Sequence, residues 1–215
     1  MRTYVYVDGF NLYYGSVKGT PCRWLNIQSL CQALLPKHDI DKIKYFTARV
    51  SARPGDPGQP TRQQMYLRAL RTIPNLEIIY GHFLSNEAWM QMVVPNPAGQ
   101  LHANRSPIFS RVIRTEEKGS DVNIASHLLF DAFNDRFETA VVVSNDSDLV
   151  MPISMVREKL LKKVGILNPR PKTPSRALQA KVDFFKPIRF GAVQASQFPD
   201  ELEDAKGTFR KPREW

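Results

Sequence analysis

Residues 139–154, TAVVVSNDSDLVMPIS, constrain the chain more than any other stretch. The β-branched run 141–143 reads as a strand buried on both faces, as in the middle of a parallel sheet. It ends in Ser144-Asn145-Asp146-Ser147-Asp148, which is turn chemistry, and Leu149, Pro152, Ile153 and Val156 then come at helical spacing. Asp146 and Asp148 therefore sit where a buried strand hands over to a helix. In open α/β sheets that edge, outside the carboxyl ends of the strands, is where ligands bind. The plainer alternative is a loop that uses Asp and Asn only to turn the chain and cap the helix.

Other segments repeat the strand and helix alternation. Residues 3–7 (TYVYV) read as a buried strand running into Asp8-Gly9-Phe10-Asn11, so a second strand ends in an acid. Gly9 permits an unusual turn there, and Asn11 either caps the segment after it or offers a neutral oxygen ligand. Ile27, Leu30, Cys31 and Leu34 share one helical face that Pro36 stops. Strands are expected at 42–50, 76–81 and 163–167, a helix from Thr61 to before Pro74, and an edge segment at 184–190. Such alternation implies βαβ units, a largely parallel sheet and right-handed crossovers.

Ser120 is placed to cap a helix whose apolar stripe is Val122, Ala125, Leu128, Leu129, Ala132 and Phe133. Asp121 opens that helix, where the dipole alone favours a carboxylate by about 0.3 to 1 kcal/mol. His127 lies about 240° around the helix from Asp121 and reads as structural. Residues 82–117 lack periodicity and are expected to be an insertion, with strands at 89–94 and 107–113 forming a hairpin around 95–99. Beyond Gly191 the apolar pattern fades, so residues 1–190 are expected to form the domain and 191–215 a loosely packed tail.

At 215 residues the chain suits one domain, and its formal net charge of +9 points to a polyanionic partner. Cys22 and Cys31 have no zinc-type spacing and do not make a disulfide framework. Neither a signal peptide nor a membrane span is visible, so a cytoplasmic location is expected.

Asp8, Asp146 and Asp148 lie at the carboxyl ends of strands, and Asp121 opens a helix at the same edge. Four carboxylates in one cleft raise one another's pKa unless a cation neutralises them. Oxygen donors without Cys or His favour Mg²⁺ or Mn²⁺. An acidic metal pocket in a strongly basic chain fits a phosphodiester substrate.

Three segments, VYVDGFNLYYG, KGSDVNIASHLLFDAF and VVVSNDSDLVMPI, resemble the NYN domain family of the PIN-like nuclease superfamily, in order and spacing, over residues 1–168. The resemblance implies a Rossmann-like three-layer α/β/α sandwich with a mainly parallel central sheet and a metal-dependent nuclease site. It implies an endoribonuclease acting on single-stranded or structured RNA, with single-stranded DNA as the second candidate polymer. Carried over by position, it makes Asp8, Asp121, Asp146 and Asp148 the Mg²⁺- or Mn²⁺-binding acids, with Asn11 beside them. Lys118 is expected to meet a substrate phosphate, while Ser144 and Asn145 orient water or a carboxylate in the same loop. Arg49 and Arg53 are expected on the rim of the RNA groove.

Rival readings lack residues they need. A haloacid-dehalogenase-like phosphatase requires a second acid where Phe10 stands, a Toprim-type site wants Glu where Asp8 stands, and no GxGxxG comes after the first strand. The serious alternative is an RNA-binding regulatory module with little turnover. If copies of the chain pair into a homodimer, the surface around 89–94 is the candidate contact.

Overall fold

Alternation along β1 (Arg2–Asp8) builds two cores at once. Val5 and Val7 point into one and Tyr6 into the other, all fully shielded from solvent. The same division runs through β2 (Asp39–Thr47), where Ile43 and Tyr45 oppose Phe46. In the computed structural model, which describes residues 1–92 and 108–215, these strands are central in a six-stranded sheet. Past β2 lies β3 (Leu76–Tyr80). A long hairpin, β4 (His82–Gln91) and β5 (Phe109–Lys118), stands apart as its own two-stranded sheet. On the far side of β1 come β6 (Thr139–Val143), β7 (Lys163–Asn168) and β8 (Phe184–Pro187). The order is β3-β2-β1-β6-β7-β8, and every pairing is parallel.

Helices cover both faces. On the Val5 and Val7 face, α2 (Ile27–Leu34) buries Ile27, Leu30 and Cys31, and α3 (Gln59–Leu70) buries Leu67 and Leu70. On the Tyr6 face, α4 (Ser120–Phe133) buries Ile124 and Leu128, and α5 (Val150–Glu158) buries Ile153 and Val156. The result is a three-layer α/β/α sandwich. Each strand pair is bridged by a chain that must climb over the sheet, which is why parallel strands come with these helices.

Strand order reverses beside β1. The chain moves one way through β2 and β3, then returns to the other side of β1 with β6 and continues outward. The carboxyl ends of β1 and β6 therefore flank the switch point, the crevice where such sheets bind ligands. Asp8 ends β1, and Ser144 comes directly after β6.

A polar knot lies within the Tyr6 core. The Tyr6 hydroxyl donates to Asp131 Oδ2 at 2.8 Å, and Lys44 Nζ pairs with the same carboxylate while lying 3.1 Å from His127 Nδ1. His127 is thereby fixed as a structural residue. Burial and the Lys44 cation hold its pKa below the usual imidazole value.

Two expectations give way. The hairpin strands are longer than expected, pairing from His82↔Lys118 to Gln91↔Phe109. Both faces are largely open to solvent, so no alternation marks them. Its expected turn at 95–99, with Val93 and Val94, lies outside the described residues. The segment after Gly191, expected to be a loose tail, instead packs on the body. It contributes a short helix, Phe190–Ala195, and a hairpin of β9 (Glu201–Asp204) and β10 (Gly207–Arg210). Phe198 and Phe209 are buried, Trp24 Nε1 donates to the Pro199 carbonyl at 2.7 Å, and Arg68 holds Asp204 through two hydrogen bonds.

Candidate active site

The turn that carries Asp8 is built around Gly9. A Cβ there would lie 2.7 Å from both the Phe46 carbonyl oxygen and the Tyr45 hydroxyl, so only glycine lets α1 (Gly9–Leu12) start against β2. Asp8 caps α1, its Oδ1 accepting the Asn11 backbone N–H at 2.8 Å. Its Oδ2 accepts from Ser144 Oγ at 3.1 Å, and the same Ser144 oxygen accepts the Asp146 N–H at 3.1 Å. Asn11 completes the join between the strands, its side-chain oxygen accepting the Asn145 N–H at 3.2 Å.

Asn145 faces outward from that join. Its Nδ2 donates to the Thr173 carbonyl at 3.0 Å, and its Oδ1 accepts the Ser175 N–H at 2.8 Å. Asn11 and Asn145 thus hold loops in register. Asp146 caps the next helical turn, accepting the Asp148 N–H at 3.0 Å, and Asp148 is exposed.

Asp121 arrives from the other face of the sheet. Gly119, at φ 96°, takes the N-cap position of α4, a left-handed conformation that suits glycine. Ser120, expected to cap, is instead the first residue of α4 and is itself held. Glu117 Oε1 accepts from its N–H at 3.2 Å and from its Oγ at 2.8 Å. A carboxylate reaching the first turn satisfies more than a serine hydroxyl can, because it also answers the helix dipole.

The charges of these acids act on one another. Burial pushes Asp8 up to about 6, and Asp121 and Asp146 add to the rise against the lowering hydrogen bonds from Asn11 and Ser144. Asp121 is also raised, first by burial and then by Asp146, Glu117 and Asp148. Glu117 is thus a fifth acid of the cluster, one that the motifs in the sequence do not reveal. Its signal is position, three residues before Ser120 at a helix start, hidden in the aperiodic hairpin.

Among the described residues no three Asp, Glu, His or Cys side chains are gathered closely enough to hold a metal ion as they stand. The donor set nonetheless suits a hard divalent cation. It is all oxygen, it comes from the ends of β1, β5 and β6 and the start of α4, and its members disfavour one another's charge. An ion would offset the mutual repulsion of their charges.

Lys118 pairs with Glu116 at 2.9 Å, so it is tied to its own strand rather than free over the acids. Arg49 lies over the Tyr80 ring at 5.3 Å, and Arg53 is exposed. Gly9, Arg53 and Glu117 border a cavity of about 280 Å³ that extends away from the acids beneath α3.

The chain matches the NYN domain over residues 2–189. It belongs to the NYN domain family. That family is nuclease-related, generally depends on divalent metal and is associated with nucleic acid. A curated relative, 6-hydroxy-3-succinoylpyridine 3-monooxygenase HspA of Pseudomonas putida (strain DSM 28022 / S16), is 31% identical over 243 residues. That alignment takes in 100% of this chain and 75% of the relative. A solved structure of a protein of unknown function, VPA0982 from Vibrio parahaemolyticus RIMD 2210633, has the same fold at TM-score 0.54 and 18% identity. It covers 87% of this chain and 93% of its own. Among the described residues of this NYN protein no helix is long and apolar enough to cross a membrane.

Proposed function

We propose that this NYN protein is a metal-dependent nuclease that hydrolyses phosphodiester bonds, and specifically an endoribonuclease acting on single-stranded or structured RNA. The observation that carries the reading is the acid cluster at the sheet's switch point in a chain of net charge +9. Acids alone would repel a phosphodiester, so the pairing of such a cluster with a basic body fits a cation-mediated site.

Asp8, Asp121, Asp146 and Asp148 are the residues that would hold Mg²⁺ or Mn²⁺, with Glu117 within reach of Asp121. A divalent cation supplies Lewis acidity at phosphate oxygens and lowers the pKa of water. The chain's own part is positioning. Asn11 and Ser144 fix Asp8 and the Asp146 loop against each other, so the two strand ends present their carboxylates as a unit. Asp8, whose carboxyl is raised by burial and by Asp121 and Asp146, is a group whose charged form a bound cation would favour strongly. Arg49 and Arg53 would hold the RNA backbone at the rim, and Lys118 would reach a phosphate on leaving Glu116.

The test is cleavage of labelled single-stranded RNA and DNA with Mn²⁺, Mg²⁺ or EDTA, comparing the wild type with Asp146→Asn. We expect metal-dependent cutting of RNA and a loss of about 100-fold or more in the variant, beyond what loss of an outer partner costs. Binding of RNA by both proteins with cutting by neither would hand the lead to a regulatory module.

The relative named as a pyridine monooxygenase supports a second reading, in which the site works on a small heteroaromatic molecule. The aromatic cavity beside the acids favours it. Incubation with a pyridine carboxylate, O₂ and a reductant, then mass spectrometry for a gained oxygen atom, separates it from the first.

A further inference from the structure

The cavity beside the acid cluster has features that a packing defect would not have. Phe10, Tyr13, Tyr45 and Tyr66 supply its aromatic walls. Their orientations are fixed by packing: Tyr45 meets Tyr66 edge to face at 6.4 Å, and Tyr66 meets Trp215 at 5.9 Å. The Tyr66 hydroxyl donates to the Leu25 carbonyl at 2.9 Å, which holds that ring upright. Rigid aromatic faces lose little entropy when a flat ring enters between them.

The polar groups on the same wall divide into committed and uncommitted. Arg62 is ion-paired to Asp56, and the Gln63 amide donates to the Ala48 carbonyl and accepts the Val50 N–H. Arg23 differs. It makes no ion pair with a described carboxylate, and its Nε, shut off from solvent, has no hydrogen-bond partner among the described residues. The Nε is closed to the cavity as well, but Arg23 lines it with a guanidinium that no described acid neutralises, and a carboxylate or phosphate is the acceptor such a group suits best. The Tyr45 hydroxyl, packed against Gly9, is likewise without a hydrogen bond to a described residue. Burial and the Asp8 charge push that phenol's pKa up, so it stays a neutral donor.

At about 280 Å³ the cavity falls just below the usual range for small-molecule sites and takes one ring system with a short arm. Gly9 and Glu117 form its border on the side of the acids, so an occupant's arm can extend toward them.

We propose that this cavity binds a single planar aromatic ring carrying an anionic group, the ring against the aromatic wall and the anion at the Arg23 guanidinium. Two sources carry that chemistry: one nucleotide of a strand held for cutting, or a free heteroaromatic acid. The nucleotide form rests on the nuclease reading, whereas the cavity's preference for such a ligand does not.

Calorimetric titration of the full chain in EDTA tests it, because neither metal nor cleavage then enters. The probes are 5′-UMP, 5′-AMP and nicotinate, and the proteins are wild type, Arg23→Gln and Val50→Trp. Val50 lines the cavity and is half-buried, so a larger ring there fills the space from the rim. Circular dichroism melting identifies any variant that does not fold, leaving the other to decide. We expect saturable binding of at least one probe class to the wild type, about tenfold weaker in Arg23→Gln and lost in Val50→Trp. Binding by mononucleotides alone identifies a strand nucleotide as the source, and binding by nicotinate alone identifies a free acid. No binding of any probe to the wild type, or undiminished binding in the folded variants, overturns the proposal. Cleavage can fail in the earlier test while this binding stands, and the reverse, so the two readings fall separately.

Discussion

Asp8 concentrates the conflict between stability and function in one side chain. It is buried, accepts two hydrogen bonds and still holds its proton up to about pH 6, whereas an unfolded Asp releases it near 3.8. Between those values the native state binds more protons than the unfolded one, so stability falls as pH rises through this window. Above about pH 6 the unfavourable balance is at full size, roughly 3 kcal/mol at most for a shift of this extent. Asparagine keeps the oxygen that accepts from Asn11 and has no charge to bury. Asp8→Asn should therefore be more stable than the wild type at pH 7.5 in EDTA, with the gap closing toward pH 3.5. Urea unfolding at both pH values measures it, and a variant no more stable at pH 7.5 than at 3.5 relative to wild type would refute this account. A site that improves when its acid is removed is kept for what the acid does. Asp121 has the same sign, with burial and three neighbouring acids raising it.

At the scale of elements, how much the sequence reveals depends on how each element is buried. β1 and β6 are legible because strands covered on both faces must be apolar throughout, and the acids after them interrupt that run. The helix opened by Asp121 is legible from its stripe, but its cap is not: Glu117 lies only three residues before Ser120, yet it sits at the end of a strand that carries no period, so nothing marks it as the cap. The hairpin itself is open on both faces, with Trp89 and Ile113 largely exposed, so it carries no period to read. The last 25 residues escape detection for another reason. Their anchors, Phe198, Phe209 and Trp215, are single aromatics spaced beyond any helix or strand period, and each docks on Trp24. Periodicity detects faces, and this segment binds by points. Phe209 also carries the Arg68 guanidinium over its ring at 4.1 Å, so its removal opens the seam between α3 and β10. Phe209→Ala should cost about 3 to 4 kcal/mol in urea unfolding, as for a buried aromatic, where an exposed tail residue would cost almost nothing.

For the molecule as a whole, the question is how a chain of net charge +9 uses its excess. Many of its cations are already spent: Lys44 on Asp131, Arg68 on Asp204, Arg157 on Asp183 and Lys118 on Glu116. Those pairs hold elements together and have little left for a ligand. Arg49 and Arg53 are different, since both come after β2 at the sheet's carboxyl edge, both are exposed, and neither is ion-paired to a described acid. Arg49 is steadied by the Tyr80 ring, which orients a guanidinium without neutralising it. A single strand tracking that edge would exchange counterions for these two side chains. Each phosphate contact adds about 0.7 to the slope of log affinity against log salt for single strands, so Arg49→Ala with Arg53→Ala should lower the slope by about 1.4. The measurement is fluorescence anisotropy of a labelled RNA across a salt series, in EDTA so that no strand is cut. The loss in affinity should be similar for unrelated sequences, because phosphate contacts position a strand without reading it. An unchanged slope would move the RNA path off this edge and leave the acid cluster to be reached from the side of the hairpin.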